Sequence, residues 1–333
     1  MEKIRAALIG LGRVGSLLED DALREKPCTH AGALASDEDC ELVAGADLDG
    51  KRRELFSRRW GCPAYADPQE MLRIHKPQLL HIATHPDSHG LYCLLAARAG
   101  VLVAVCEKPL APSLGEARKI ASLERQGQLR IIVNHERRYA EDYREARRLI
   151  AAGSYGPLLG AKALLYMGKT RRLLDVLWHD GTHLVDAIMF LTGSSMAHSK
   201  RWGDPIEGRE GTVFLGGALH GSGNPASFLL ELGAGRDHLA FEIDLSFERG
   251  RLRIGNGIFE AWESGPCPYA EKFRSLRKAR DGFAGETGYF ANMVQDAVAC
   301  VLDPSRQGES RAIDGLRAVE YLHIAGGRKR FQG

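Results

Sequence analysis

The stretch Ile4-Arg5-Ala6-Ala7-Leu8-Ile9-Gly10-Leu11-Gly12-Arg13-Val14-Gly15 decides the fold of this chain. Ile4–Ile9 is a near-continuous apolar run, the pattern expected of a parallel strand buried on both faces. Gly10, Gly12 and Gly15 follow it directly as Gly-x-Gly-x-x-Gly. Glycines so spaced permit a tight turn and let backbone N–H groups approach a pyrophosphate at a helix N-terminus. A strand before the pattern and a helix after it is the context that marks dinucleotide binding rather than a mere turn.

Outward from this stretch, strands and helices alternate. Glu41–Ala46 reads as a second strand ending at Asp47, Ala64-Tyr65 as a short third, and Leu79–Ala83, Val101–Val105 and Arg130–Val133 as further ones. Lys51–Arg59, Pro68–Ile74 and Leu91–Ala99 read as helices, and Ser113 with Glu116 three residues on resembles a capping box. Repeated β-α-β units imply a parallel sheet covered by helices on both faces. The pattern changes near Asn134. A charged helix is expected over 137–152, a strand over 157–167 and an apolar helix around Val185–Leu191. From Thr212 to Glu263 the residues alternate between turns at Ala234-Gly235 and Arg249-Gly250, which predicts an antiparallel sheet. Two domains follow, 1–133 and 134–333, with the last helix a candidate to pack back on the first.

Cys106-Glu107-Lys108-Pro109-Leu110 places a lysine at the carboxyl end of a buried strand, where open α/β sheets bind ligands. Asp47 ends the second strand, where a carboxylate accepts ribose hydroxyls. Leu48 beside it is neutral, so a 2′-phosphate would meet an unscreened charge, which favours NAD over NADP. Lys51, Arg52 and Arg53 keep NADP open. Asp47 lies 32 residues beyond Gly15, against the usual distance of about 20. The excess points to an insertion at Leu17–Thr29, read as a surface loop or as a flap over cofactor or substrate. Thr84-His85-Pro86 with His89 ends another strand and reads either as a nicotinamide-side turn or as plain polar turn residues. In Trp178-His179-Asp180-Gly181-Thr182-His183, a helix would set His179 and His183 on one face, suited to a general base. The same spacing fits a metal helix or structural histidines. Gly181 weakens the helix and no third ligand is evident, so no metal is expected. Asn134-His135-Glu136-Arg137-Arg138-Tyr139 reads as a helix start or as a polar rim on the ligand site. Tyr166, Lys169, Arg171 and Arg172 are candidates to line a substrate pocket.

Composition bounds the partners. The 333 residues are 44% apolar and 26% charged with a net charge of +2, which argues against a nucleic-acid binder. Seven cysteines, none in a Cys-x-x-Cys pair, argue against a disulfide framework or structural zinc and for a reducing cytoplasm. No apolar segment precedes the first strand, and no run approaches the about 18 residues of a membrane span.

Taken together these motifs resemble the Gfo/Idh/MocA oxidoreductases. The resemblance rests on Gly10–Gly15, Ala46-Asp47-Leu48-Asp49, Thr84-His85-Pro86 with His89, Glu107-Lys108-Pro109, Arg138-Tyr139 and Gly181-Thr182-His183-Leu184-Val185-Asp186, in that order and spacing. It implies an α/β fold: an N-terminal Rossmann domain plus a C-terminal α+β domain with a large, mostly antiparallel open sheet, forming a homodimer or homotetramer. It further implies hydride transfer between NAD(P) and a secondary alcohol of a sugar, inositol or related polyol. NAD-using glycoside hydrolases or lyases and dinucleotide-binding sensors are the alternatives within the family. Carried onto this sequence, Arg13 and Val14 join the glycines at the cofactor, as do Leu48, Glu107 and Pro109 in their motifs. Lys108 would contact both cofactor and reacting hydroxyl, and His183 would be the catalytic histidine. The position four before it, an aspartate in the family, is His179 here, with Asp180 adjacent; either could fill the third role.

Overall fold

Why Ile4–Ile9 (β1) is apolar apart from Arg5 is plain from its neighbours: it lies within a sheet covered on both faces, and Ala6, Ala7 and Leu8 have no exposed surface. The structure, a computed structural model, describes residues 2–169, 171–221 and 225–327. The chain forms two compact units, one comprising the chain up to Ala140 together with Glu286–Val319, the other Glu141–Gly285 together with the chain from Glu320.

In the first unit β1 is followed by α1 (His30–Ser36), β2 (Cys40–Ala46), α2 (Gly50–Trp60), β3 (Ala64–Tyr65), α3 (Pro68–His75), β4 (Leu79–Ile82), α4 (Pro86–Arg98), β5 (Val103–Cys106), α5 (Leu114–Arg125) and β6 (Arg130–Val133). The sheet order is β3-β2-β1-β4-β5-β6, all parallel. The order reverses between β1 and β4, so a crevice opens at the carboxyl ends of these strands. Local chemistry sets the helix starts. Asp49 accepts from Lys51 and Arg52 N–H at α2, Asp67 precedes Pro68 at α3, and Ser113 accepts from Glu116 N–H at α5.

The second unit contains α6 (Glu141–Ala151), β7 (Leu158–Met167), the short α7 (Leu173–Asp175), a π-helical turn (Val176–Asp180) and α8 (Gly181–Thr192). Then come β8 (Ser195–Gly203), β9 (Gly211–His220), β10 (Ala226–Ala234), β11 (Leu239–Phe247), β12 (Gly250–Gly255), β13 (Ile258–Pro266) and β14 (Arg274–Asp281). They form one sheet, β14-β13-β12-β11-β7-β10-β9-β8, antiparallel except between β7 and β10. Phe241, Ile243 and Leu245 of β11 alternate inward, and α8 packs on β7 and β11. The other face carries cross-strand ion pairs, Arg251–Asp244, Arg253–Glu242 and Lys278–Glu260. Sequence periodicity does not announce β14, because its residues are mostly exposed and charged. The expected helix over 137–152 is shorter: a 3-10 turn covers Glu136–Arg138 and α6 starts at Glu141. At the end of that turn Arg138 and Tyr139 are buried, donating to Glu309 O (2.8 Å) and Asp296 Oδ2 (3.0 Å).

The chain then returns to the first unit. Met293, Val294 and Ala297 of α9 (Tyr289–Leu302) pack with Leu34, Leu79 and Val103, and Ala312 and Val319 of α10 (Ala312–Ala325) join the core around Leu110 and Val133. The division at 140/141 and this return of 286–319 differ from two continuous segments meeting at 133/134. The apolar face of α9 matches the sheet's outer surface, and a boundary drawn from the order of elements does not reveal that match. No helix among the described residues is long and apolar enough to cross a membrane, and all seven cysteines are free thiols.

Candidate active site

The glycine turn is built by close approach. Gly10 has φ +94°, and a Cβ there would stand 2.5 Å from Ala83 O; one on Gly15 would stand 2.0 Å from Gly10 O. Among the described residues a Cβ on Gly12 would meet only the Arg52 guanidinium, its Nη1 at 3.5 Å, so its backbone is open to a ligand. Gly10 and Gly15 therefore close the turn and Gly12 leaves the room a pyrophosphate needs.

The helix expected after Gly15 does not run on. Ser16 N–H bonds to Gly12 O, a 3-10 turn covers Leu17–Asp20, and α1 starts only at His30. Yet His30 N–H donates to Val14 O (3.0 Å) and Ala31 N–H to Gly15 O (2.9 Å), sixteen residues back in sequence, where a helix spans about four. The glycine turn and α1 are thus one helix interrupted by an excursion of twelve extra residues. Taking twelve from the 32 between Gly15 and Asp47 leaves 20, which accounts for the odd spacing. The excursion is tied down. Glu19 Oε2 accepts from Thr29 Oγ1 (2.6 Å), Asp20 pairs with Arg59, and Glu25 accepts from Thr287 N (2.9 Å) and Oγ1 (3.0 Å) and from Gly288 N at the start of α9.

Asp47 Oδ2 accepts from Leu11 N–H (2.8 Å) and Oδ1 from Asp49 N–H (2.9 Å), which fixes the carboxylate beside the glycine turn. Arg52 Nη1 is 3.6 Å from Asp47 Oδ2, whereas Arg53 is spent on the carbonyls of Asp47 and Leu48. Leu48 and Arg13 are exposed and Val14 is half-buried. Open Gly12 N–H, positioned Asp47 and the nearby Arg52 fit the phosphate and ribose parts of a dinucleotide.

His85 and His89 part company. His85 is exposed at the start of α4, ahead of Pro86, and Thr84 Oγ1 accepts from Ser88 Oγ. His89 is buried, with Nδ1 3.2 Å from Leu110 O and Nε2 3.1 Å from Thr84 O, so it links the loops after β4 and β5. Burial is the largest influence on His89 and holds it below the usual imidazole value, though the two carbonyls and Glu107 pull the other way. A neutral ring donates to only one of those carbonyls at a time.

Glu107, Lys108 and Pro109 follow β5, with a cis bond between Lys108 and Pro109. Glu107 is 7% exposed. Burial alone would raise its carboxyl, but the His30 hydrogen bond, the Lys108 charge and the Asn134 amide outweigh it and hold it below the usual carboxylate value. Sequence reasoning missed the partners His30 and His81. The available signal was a histidine inside the otherwise apolar strand Leu79-Leu80-His81-Ile82. Asn134 bonds to Glu107. In the rest of its stretch His135 contacts Ser310 (3.1 Å), and Arg138 and Tyr139 hold the chain around 296–314.

In the second unit, His179 lies in the last part of the π-helical turn and His183 in the first turn of α8, so the two do not share a regular α-helix. Gly181 N–H donates to Val176 O, five residues back, and a Cβ on Gly181 would stand 3.2 Å from Leu232 Cδ2. The glycine thus permits the wide turn to pack on β10. His179 Nδ1 is 2.9 Å from Asp180 Oδ1, and Arg171 Nε is 3.6 Å from Oδ2 of the same buried carboxylate. His183 is half-buried. Arg172 pairs with Asp175 at 3.0 Å, and Tyr166 donates to Glu231 with its phenol pushed by burial, then by that carboxylate, to about 12. Lys169 is exposed. Among the described residues no three of His, Cys, Asp and Glu gather to hold a metal ion.

Fold and site define the class: a Rossmann-type dinucleotide-binding unit in a chain whose other unit is a mixed open sheet with helices on one face. Residues 4–135 match the family model GFO_IDH_MocA, described as an oxidoreductase family with an NAD-binding Rossmann fold. The chain is similar to D-glucoside 3-dehydrogenase of Escherichia coli K12, at 26% identity over 57% of this chain and 54% of the relative. It is also similar to scyllo-inositol 2-dehydrogenase (NAD(+)) of Bacillus subtilis 168, at 30% identity over 51% of this chain and 45% of the relative. The matches thus span about half the length of these curated relatives. The crystal structure of myo-inositol 2-dehydrogenase from Lactobacillus plantarum shares the fold, with TM-score 0.75 and 20% identity over 99% of this chain and all of that one.

Proposed function

We propose that this protein is an NAD-dependent dehydrogenase that oxidises a secondary alcohol of a sugar, inositol or related polyol. The observation that carries the reading is the placement of Gly10–Gly15, Asp47 and Lys108 just beyond the carboxyl ends of β1, β2 and β5 of one parallel sheet. The bound dinucleotide would supply the hydride acceptor. Gly12 N–H and its neighbours hold the pyrophosphate, and Asp47 takes the ribose hydroxyls and disfavours a 2′-phosphate; Arg52 is the residue that would accommodate NADP. Lys108 stabilises the developing alkoxide, a contribution of roughly 3–4 kcal/mol for a charged donor aimed at an oxyanion. His183 accepts the hydroxyl proton, and the buried Asp180 carboxylate, paired with His179 and Arg171, steadies that segment. The protein is proposed to work in the cytoplasm as a homodimer or homotetramer.

A spectrophotometric screen for NADH and NADPH formation against sugars, sugar phosphates, nucleotide sugars and inositols tests the reading. Reduction of NAD by at least one polyol, with NADP the poorer acceptor, is expected. Dinucleotide binding without turnover on the whole panel would overturn it in favour of a binding protein.

A further inference from the structure

A row of buried side chains that the proposed chemistry leaves unused ends at Lys108. His81 sits on β4, and His30 opens α1 directly after the twelve-residue excursion. His30 Nδ1 is 2.8 Å from His81 Nδ1, and His30 Nε2 is 3.0 Å from Glu107 Oε1. Both rings have no exposed surface, and Phe290 packs edge-on against His30 at 5.2 Å. Glu107 Oε1 also accepts from Asn134 Nδ2, and Glu107 Oε2 accepts the Lys108 backbone N–H at 3.3 Å.

The bonding rules give this row a direction. An ionised carboxylate only accepts, so His30 carries a proton on Nε2. A neutral ring has one proton, so His30 Nδ1 is a lone pair and His81 Nδ1 must donate to it. His81 Nε2 is then a bare lone pair, and that atom has no hydrogen-bond partner among the described residues. The reverse direction would place an N–H there, in the interior, with nothing to accept it, which is the costlier defect.

We propose that His81, His30 and Glu107 form a one-way hydrogen-bonded strut that positions Lys108. The strut holds the Glu107 carboxylate in the orientation that grips the Lys108 amide, so the lysine side chain starts from a fixed point on its loop. His30 and His81 are positioning residues, and the proposal rests on Lys108 being the group that stabilises the alkoxide.

Nitrogen-15 NMR of the histidine-labelled full chain at neutral pH, assigned with His30→Gln and His81→Asn, reads the strut directly. Expected are two neutral rings, protonated on Nε2 in His30 and on Nδ1 in His81. A doubly protonated ring at either position, or the opposite tautomers, overturns it. With NAD and a polyol from the screen, His81→Leu should lower kcat about tenfold with KM and the NAD Kd unchanged. His81→Asn, which keeps an N–H in the place of Nδ1, should restore most of that loss. Wild-type kcat in His81→Leu, or equal losses in both variants, overturns the positioning role. If no polyol turns over, the dehydrogenase reading fails, while the NMR spectrum still decides the strut.

Discussion

The proposed chemistry turns on a lysine whose neighbour is a buried carboxylate. Glu107 would be neutral in an apolar interior, yet its partners keep it ionised. Its value is depressed below 4.5, so its contribution to stability is complete above about pH 4.5 and is lost as pH falls below it. Acid unfolding followed by circular dichroism should therefore be steeper below pH about 4.5 in the wild type than in Glu107→Gln; superimposable curves would remove the assignment. Lys108→Ala should lower kcat by about 10²–10³-fold while the NAD Kd, read by fluorescence titration, stays within about twofold. Turnover at the wild-type rate would show that Lys108 is not the oxyanion donor. At this scale Lys108, Asp47 and the three glycines were legible, because a motif fixes their place relative to a strand end. His30 and His81 were not, since their meaning lies in a contact between residues 51 apart in sequence.

Elements add a lesson about insertions. The spacing from Gly15 to Asp47 revealed that residues had been added, but not that the addition splits a helix whose hydrogen bonds resume at His30. Deleting residues 17–28 makes His30 the fourth residue after Val14, which matches the helical bond already present between them. The deletion variant should fold and bind NAD, with Tm lowered by several degrees for the loss of the Glu25 and Asp20 anchors. Calorimetry and NAD titration check this, and an unfolded or non-binding product would show that the excursion is integral to the cofactor cradle. The π-helical turn before α8 was equally hidden. Gly181 read as a weak point in a helix, whereas it is the residue that lets a wide turn approach Leu232.

The whole molecule contains two sheets of different logic. In the parallel sheet, β1, β4 and β5 are buried along nearly their whole length and were legible as apolar runs. The eight-stranded sheet has one apolar face and one laced with ion pairs such as Arg251–Asp244 and Lys278–Glu260. Such a face needs no cover for solubility but suits a polar, self-complementary contact. Multi-angle light scattering should give a dimer or tetramer mass, and a monomer at micromolar concentration would refute the proposed assembly. Sequence by itself determined the parallel sheet, its glycine turn and the address of Lys108, because strand burial and turn geometry are written in neighbouring residues. Tertiary structure alone decided the return of α9 to the first sheet, the splicing of a helix across twelve extra residues and the burial of His81 and His30 behind Glu107. Each of these depends on surfaces and hydrogen-bond partners brought together from distant parts of the chain, which no local pattern encodes.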